Sequence, residues 1–189
     1  NEVKAIFGEN GVCKDADTYA LDLRNNGGGL EKTAIGVAQA LFPPRGAGAK
    51  EELLVEDRGN RRSQKYYRDS SQSIRAWKIK PVVLQNHNSA SGSELVIGAL
   101  GPYVIKIGDR SFGKCSAWIP VILADGSILQ ITASNFLFKN GANCDGIGFW
   151  PDIYFNRPMF RREIPKEKVE REENLPKYQG GTARFTEQE

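Results

Sequence analysis

The sequence predicts an α/β protein, a mixed sheet with flanking helices, and three observations carry that prediction. An apolar run over residues 18–24 ends in Asn25-Asn26-Gly27-Gly28-Gly29 and passes into helical spacing at Leu30, Ala34, Val37, Ala38 and Leu41. A second run, Ile79–Gln85, ends in the small polar stretch Asn86–Ser91 and passes into the apolar segment Leu95–Leu100. Farther on, residues 118–123 and 128–133 flank Ala124-Asp125-Gly126-Ser127, a hairpin signal. Strand, turn and helix occur twice before the hairpin, and that alternation marks the α/β class.

Taken in order, residues 1–16 carry no clear pattern. Three glycines after the first strand permit positive φ and close approach of another backbone. Pro43-Pro44 stops the helix that follows. A phosphate-cradling loop fails on detail, because neither Gly-Lys-Ser/Thr nor a spaced Gly-x-Gly-x-x-Gly is present there. Leu53-Leu54-Val55 and Gln64-Lys65-Tyr66-Tyr67, separated by Arg58-Gly59-Asn60, predict a polar hairpin at a sheet edge or over a cleft, with its charges on a solvated face. Tyr103–Ile107 is the third core strand, closed by Gly108-Asp109-Arg110. In the later hairpin Gln130 and Thr132 alternate against Leu129 and Ile131, and Gly148–Ile153 turns into a short strand. After Asn156 the chain is charge-rich with no core face. The expected division is a core of residues 1–160 and a charged extension of residues 161–189.

At 189 residues the chain can bury one sizeable core. A net charge of +3, with basic residues interleaved among acidic ones, argues against nucleic acid or a membrane surface as partner. No apolar run reaches the length of a membrane span. The sequence starts at Asn1 without a signal pattern, and is read as a processed or excised piece with a truncated beginning. Cys13, Cys115 and Cys144 have neither metal-ligand spacing nor an even count, so one disulfide with a free thiol and three thiols both remain open. With His87 the single histidine, no metal and no cofactor are expected.

The stretch around Ser91 carries the chemistry. A serine where a strand passes into a helix has an exposed hydroxyl beside the unpaired N–H groups of the first helical turn. Such groups can hold a developing oxyanion, which suits acyl transfer. Taken alone, the stretch reads more simply as an ordinary helix cap.

Three landmarks in one order are more specific than any of them singly: Asp22-Leu23-Arg24-Asn25-Asn26-Gly27-Gly28-Gly29, Ser89-Ala90-Ser91-Gly92-Ser93-Glu94 and Ser111-Phe112-Gly113-Lys114. Together they resemble the carboxy-terminal processing (tail-specific) serine proteases, whose signatures look like D-L-R-N-N-x-G-G, S-A-S-A-S-E and T-F-G-K-G. The similarity covers roughly residues 17–155, with weaker support from Asp125-Gly126-Ser127 and Pro151-Asp152. The resemblance implies a crotonase/ClpP-like α/β core, a serine–lysine dyad, peptide or protein substrates taken from their C-terminal tails, and an extracytoplasmic location. Ser91 matches the nucleophile and Lys114 the general base. Gly92 matches one oxyanion donor, and the glycine loop would give the other, Gly28 with Gly27 as the near alternative. Glu94 and Ser111 match positions that support the site.

The residue types fit these roles. Serine is a poor nucleophile until a base takes its proton. Lysine does so only when neutral, a form that is rare at neutral pH for an ordinary amine and favoured by burial against apolar walls. Phe112, Trp118 and the helix after Ser91 are the candidate walls. Departures from the family pattern are Gly92 for alanine, Cys115 for the glycine after the lysine, and Trp118 for the glutamine that orients the amine. An indole can only donate a hydrogen bond, so Trp118 cannot accept one from the amine as a glutamine carbonyl does. That departure favours a second expectation, an inactive relative that holds an apolar ligand or peptide, as the similar repeats of interphotoreceptor retinoid-binding protein do. A crotonase-like acyl-thioester enzyme fits the glycine loop and Lys114 less well. His87 as base and Cys115 as nucleophile are the minor competing chemistries; a structural histidine and a buried or disulfide-bonded cysteine are the simpler readings.

Overall fold

In the computed structural model, residues 2–46, 50–60 and 62–155 are described. The expected extension of residues 161–189 lies outside them. The described chain forms two four-stranded sheets and three α-helices, so the α/β class holds, with parallel and antiparallel pairings kept in separate sheets.

The first sheet has the order β1 (Ala20–Asp22), β4 (Val82–Gln85), β5 (Ile105–Gly108), β8 (Ile153–Tyr154), with every pair parallel. Parallel neighbours need a crossover. Between β4 and β5 the crossover is α3 (Gly92–Leu100), and after β1 the chain runs into α2 (Glu31–Leu41). Helix α2 ends where Pro43 forces the preceding Phe42 out of the helical region, at φ −63° and ψ 145°. Its last carbonyls are met from outside: Trp77 Nε1 donates to the Leu41 carbonyl at 3.0 Å. Helix α3 buries Leu95, Val96, Ile97, Ala99 and Leu100, apolar on all sides because it touches α2, β2 and β7. Gly98 faces the Phe138 and Phe149 rings, which meet edge to face 5.1 Å apart; a Cβ at residue 98 would lie 2.6 Å from Phe149 Cζ.

The second sheet has the order β3 (Ser63–Tyr67), β2 (Leu53–Gly59), β7 (Ile128–Phe138), β6 (Ser116–Ile122), all antiparallel. The expected polar hairpin is β2–β3, but only β3 is an edge. Strand β2 lies inside the sheet with Leu54, Val55 and Glu56 buried, and Glu56 accepts from Arg58 and Ser63. Arg58 and Lys65 are exposed, as a solvated face requires, whereas Glu56 is buried beneath its partners. The Asp-Gly turn joins β6 to β7 as expected, and β7 runs five residues beyond the expected Ala133 because Ser134 to Phe138 pair with β2. Edge strand β6 carries Pro120 opposite Gln130. Residues 2–7, unpatterned in the sequence, form the short helix α1 (Glu2–Phe7), which buries no residue fully. Phe42, Leu95, Ile97, Leu100, Val55, Val83 and Val104 are the fully enclosed centre of one apolar core.

Candidate active site

The three sequence landmarks follow the C-terminal ends of β1, β4 and β5. Those strands are adjacent and parallel, so the three loops emerge side by side at one end of the sheet. Open α/β sheets bind ligands outside this end.

The loop after β1 is sewn to the loop after β4. Asn25, at φ 60°, donates from its backbone to Asn86 Oδ1 at 3.0 Å, and its own Oδ1 accepts from Asn86 and Asn88 at 2.9 and 3.0 Å. The Asn26 carbonyl accepts from Ala90 N–H at 3.1 Å and from Ser93 Oγ at 2.8 Å. Ser89 is fully buried and donates its hydroxyl to the Leu23 carbonyl at 2.7 Å. Gly28 then lies against the junction at φ 92°: a Cβ there would collide with the Gly92 nitrogen and the Ala90 carbonyl, 3.0 Å from Ser91 Cβ. Only glycine allows that approach.

Ser91 has φ 55° and ψ −115°, a strained backbone for a residue with a side chain. Its N–H is held by Glu94 Oε2 at 3.0 Å, and its carbonyl already accepts the Leu95 N–H of α3 at 3.0 Å. Gly92 opens the helix, so its N–H has no acceptor within its own helix. Of the glycine-loop donors, the Gly28 N–H is engaged by Asn26 Oδ1 at 2.9 Å. Gly27 faces open space, and the Gly29 nitrogen lies 2.7 Å from where a Cβ of Gly92 would stand. No local signal singles out Gly29 among the three glycines, since the loop's register against Gly92 is a tertiary fact.

Glu94 is the hub. Its carboxylate is fully buried and accepts four hydrogen bonds: from Ser111 Oγ at 2.6 Å and Gly113 N–H at 2.7 Å on Oε1, and from Ser91 N–H at 3.0 Å and Lys114 N–H at 2.7 Å on Oε2. One oxygen therefore joins the backbones of Ser91 and Lys114, whose nitrogens can be no farther apart than those last two distances together. Ser111 Oγ in turn accepts the Phe149 N–H at 2.7 Å, and Gln85 Nε2 donates to the Asp109 and Phe149 carbonyls, tying the loop to β4.

Lys114 is partly buried, and its Nζ lies 3.8 Å from the centre of the Trp118 ring. Phe112 is 53% exposed and Trp118 48%, so neither expected wall encloses the amine. The next residue, Cys115, is buried in a disulfide with Cys144, and its N–H donates to Asp145 Oδ1 at 2.8 Å; Cys13 is free and exposed. His87 is exposed with its ring against Phe112. Among the described residues Glu94, Cys115 and Cys144 bring potential ligand atoms within 4.8 Å of one another. They make a poor metal set, because the carboxylate already serves four donors and the two sulfurs are bonded to each other.

A strained serine at a helix start, glycine backbone packed against it and a lysine tied to it through one carboxylate form an arrangement able to perform acyl transfer. Comparison with known proteins agrees with that class. Residues 2–155 match the family model of peptidase family S41, and the chain belongs to that family. It is 34% identical over 143 residues to a carboxy-terminal-processing protease of Bartonella bacilliformis, covering 75% of this chain and 31% of the relative. It is 35% identical over 146 residues to the chloroplastic C-terminal processing peptidase of Tetradesmus obliquus, covering 76% and 30%. Among solved structures, the photosystem II D1 C-terminal processing protease superposes with a TM-score of 0.63 at 31% identity, covering 76% of this chain and 36% of that one. The chain thus spans about a third of the length of these relatives.

Proposed function

We propose that this chain is the catalytic core of a serine endopeptidase that cuts protein substrates near their C-terminal tails through a Ser91–Lys114 dyad. The observation that carries the reading is the Glu94 carboxylate, which couples the backbones of the two residues at the C-terminal end of the parallel sheet. In the first step the neutral Lys114 amine takes the Ser91 hydroxyl proton while Oγ attacks the peptide carbonyl. The oxyanion is held by the Gly92 N–H and a glycine-loop N–H. Gly28 serves once Asn26 releases it, with Gly27 the alternative. Lys114 then passes the proton to the leaving amine, and water hydrolyses the acyl-enzyme by the reverse sequence. Glu94 and Ser111 hold the two partners in register.

Beside the junction lies a cavity of about 320 Å³, whose lining includes the apolar Leu21, Leu30, Val37 and Val96, the polar Asn26, Thr33 and Ser93, and Gly28 and Gly92. It suits an apolar substrate side chain next to the scissile bond. Relatives are bacterial and chloroplastic proteases. No helix among the described residues is long and apolar enough to cross a membrane. We assign the chain an extracytoplasmic site of action and no nucleic-acid partner.

The test is cleavage of an unstructured protein such as casein. The unsubstituted chain cuts it, and Ser91→Ala or Lys114→Ala lowers kcat by about a thousandfold or more. Full activity in Lys114→Ala would remove the dyad. Absence of cutting by the unsubstituted chain, together with saturable binding of a fluorescent apolar ligand, would favour the binding-module reading.

A further inference from the structure

We infer that the face of the Trp118 indole is the platform that positions the Lys114 amine for proton exchange with Ser91, making Trp118 a positioning residue of this site. The inference deepens the serine–lysine reading above and rests on it.

Lys114 is clamped at its backbone and free along its stem. Its N–H is held by Glu94, and the N–H of Cys115 by Asp145, with the Cys115 sulfur tied to Cys144. Beyond Cα there are four rotatable bonds, and among the described residues no carboxylate or hydrogen-bond acceptor takes Nζ. A base on a swinging stem gives up most of the advantage of proximity. The ring is the contact that fixes it: Nζ stands 3.8 Å above the centroid, well within the ~6 Å reach of a cation–π attraction.

The strand is irregular where this contact is made. In the β6–β7 ladder Ala117 pairs with Ser134 and Trp118 with Thr132, so Ala133 is the extra residue of a bulge. Bulges turn a side chain relative to the ladder and recur beside active sites. Here the extra residue lies on β7, opposite the step from Ala117 to Trp118.

The chemistry of the ring suits the step. When the Oγ–H bond of Ser91 breaks and an N–H bond forms on Lys114, positive charge develops on Nζ over the electron-rich ring face. An ammonium is attracted there more strongly than an amine. Stabilisation that grows along the reaction coordinate accelerates it. The indole also makes no demand on the amine lone pair, which stays available for the serine proton. A ring face thus does the orienting that an amide oxygen would do elsewhere.

The experiment uses the 189-residue chain with 13Cε-labelled lysine, and three substitutions: Trp118→Phe keeps a ring face, Trp118→Leu keeps apolar bulk without one, and Trp118→Gln supplies an amide acceptor. The Lys114 signal is assigned by its loss in Lys114→Met. In the unsubstituted chain the Lys114 ε-protons are expected upfield of the other lysines, shielded by the ring. They return to the common position in Trp118→Leu and Trp118→Gln and stay displaced in Trp118→Phe. On a peptide substrate, Trp118→Leu lowers kcat about tenfold with KM unchanged, whereas Trp118→Phe and Trp118→Gln stay within about threefold of the parent. A Lys114 signal at the common position in the unsubstituted chain overturns the inference whether or not the chain cleaves. So does an unchanged kcat in Trp118→Leu. Cleavage that survives in Lys114→Met overturns the serine–lysine reading instead, so the two failures are distinguishable.

Discussion

The Ser91 junction and the β6–β7 hairpin are built on opposite plans. At the junction Ser89, Ser93 and Glu94 are polar and buried, and their side chains are bonded to Leu23, Asn26, Ser111 and the backbone of Ser91, Gly113 and Lys114. In the hairpin large apolar side chains are exposed, Trp118, Ile119, Ile122, Ile128, Leu129 and Ile131, alongside polar ones such as Gln130 and Thr132. A strained backbone persists only where its surroundings over-determine it, and that explains the dense bonding at Ser91. The hairpin has no residue with a side chain at positive φ, and its ladder and the Asp125–Ser127 hydrogen bonds of its turn hold it. The candidate site straddles the two, with Ser91 on the densely bonded side and the ring beside Lys114 on the exposed one.

Substitutions can break this contrast, beginning with the hub. Glu94→Ala leaves four donors, two of them in buried and two in partly buried hydrogen bonds, without their acceptor and is expected to lower the free energy of unfolding by about 4 kcal/mol, read as a drop in the urea midpoint. An unmoved midpoint would mean that the junction is held by something else. Gly28→Ala sharpens the picture, since it drives a methyl group into the Gly92 nitrogen at a left-handed position. A loss of about 2 kcal/mol is expected, along with a fall in cleavage larger than the loss of folded protein explains. The smallest effect belongs to the hairpin tip. Ile122→Thr with Ile128→Thr, an exposed cross-strand pair, should shift stability by no more than about 0.5 kcal/mol while raising solubility. A large loss there would show that the tip is part of a core and would erase the distinction.

The fold was largely legible where a local signal exists. Helical spacing from Leu30 with Pro43-Pro44 marks α2, and Asp125-Gly126 marks the β6–β7 turn. Helix α1 was not legible, because six residues that bury none of their side chains fully carry no periodic stripe. Nor was the interior place of β2, since its charges Glu56 and Arg58 neutralise one another within the sheet, which only pairing reveals. At the site, the order of the landmarks pointed to Ser91, Lys114, Glu94 and Ser111, and the structure brings all four together. Pairing of Cys115 with Cys144 stayed open because three cysteines offer three pairings, and separation along the chain does not choose among them. Trp118 stood out in the sequence as a departure from the pattern and as a candidate wall for the amine; the contact of its ring face with Lys114 Nζ is a tertiary fact that no motif announces.

Pro120 bears on how so apolar an arm can stay out of fibres. It removes a donor from the middle of the outermost strand, so a foreign strand arriving edge-on finds the row of backbone hydrogens interrupted at its centre. The broad apolar faces remain open to contact from above or below, so the arm can be touched without being lengthened into a stack of copies.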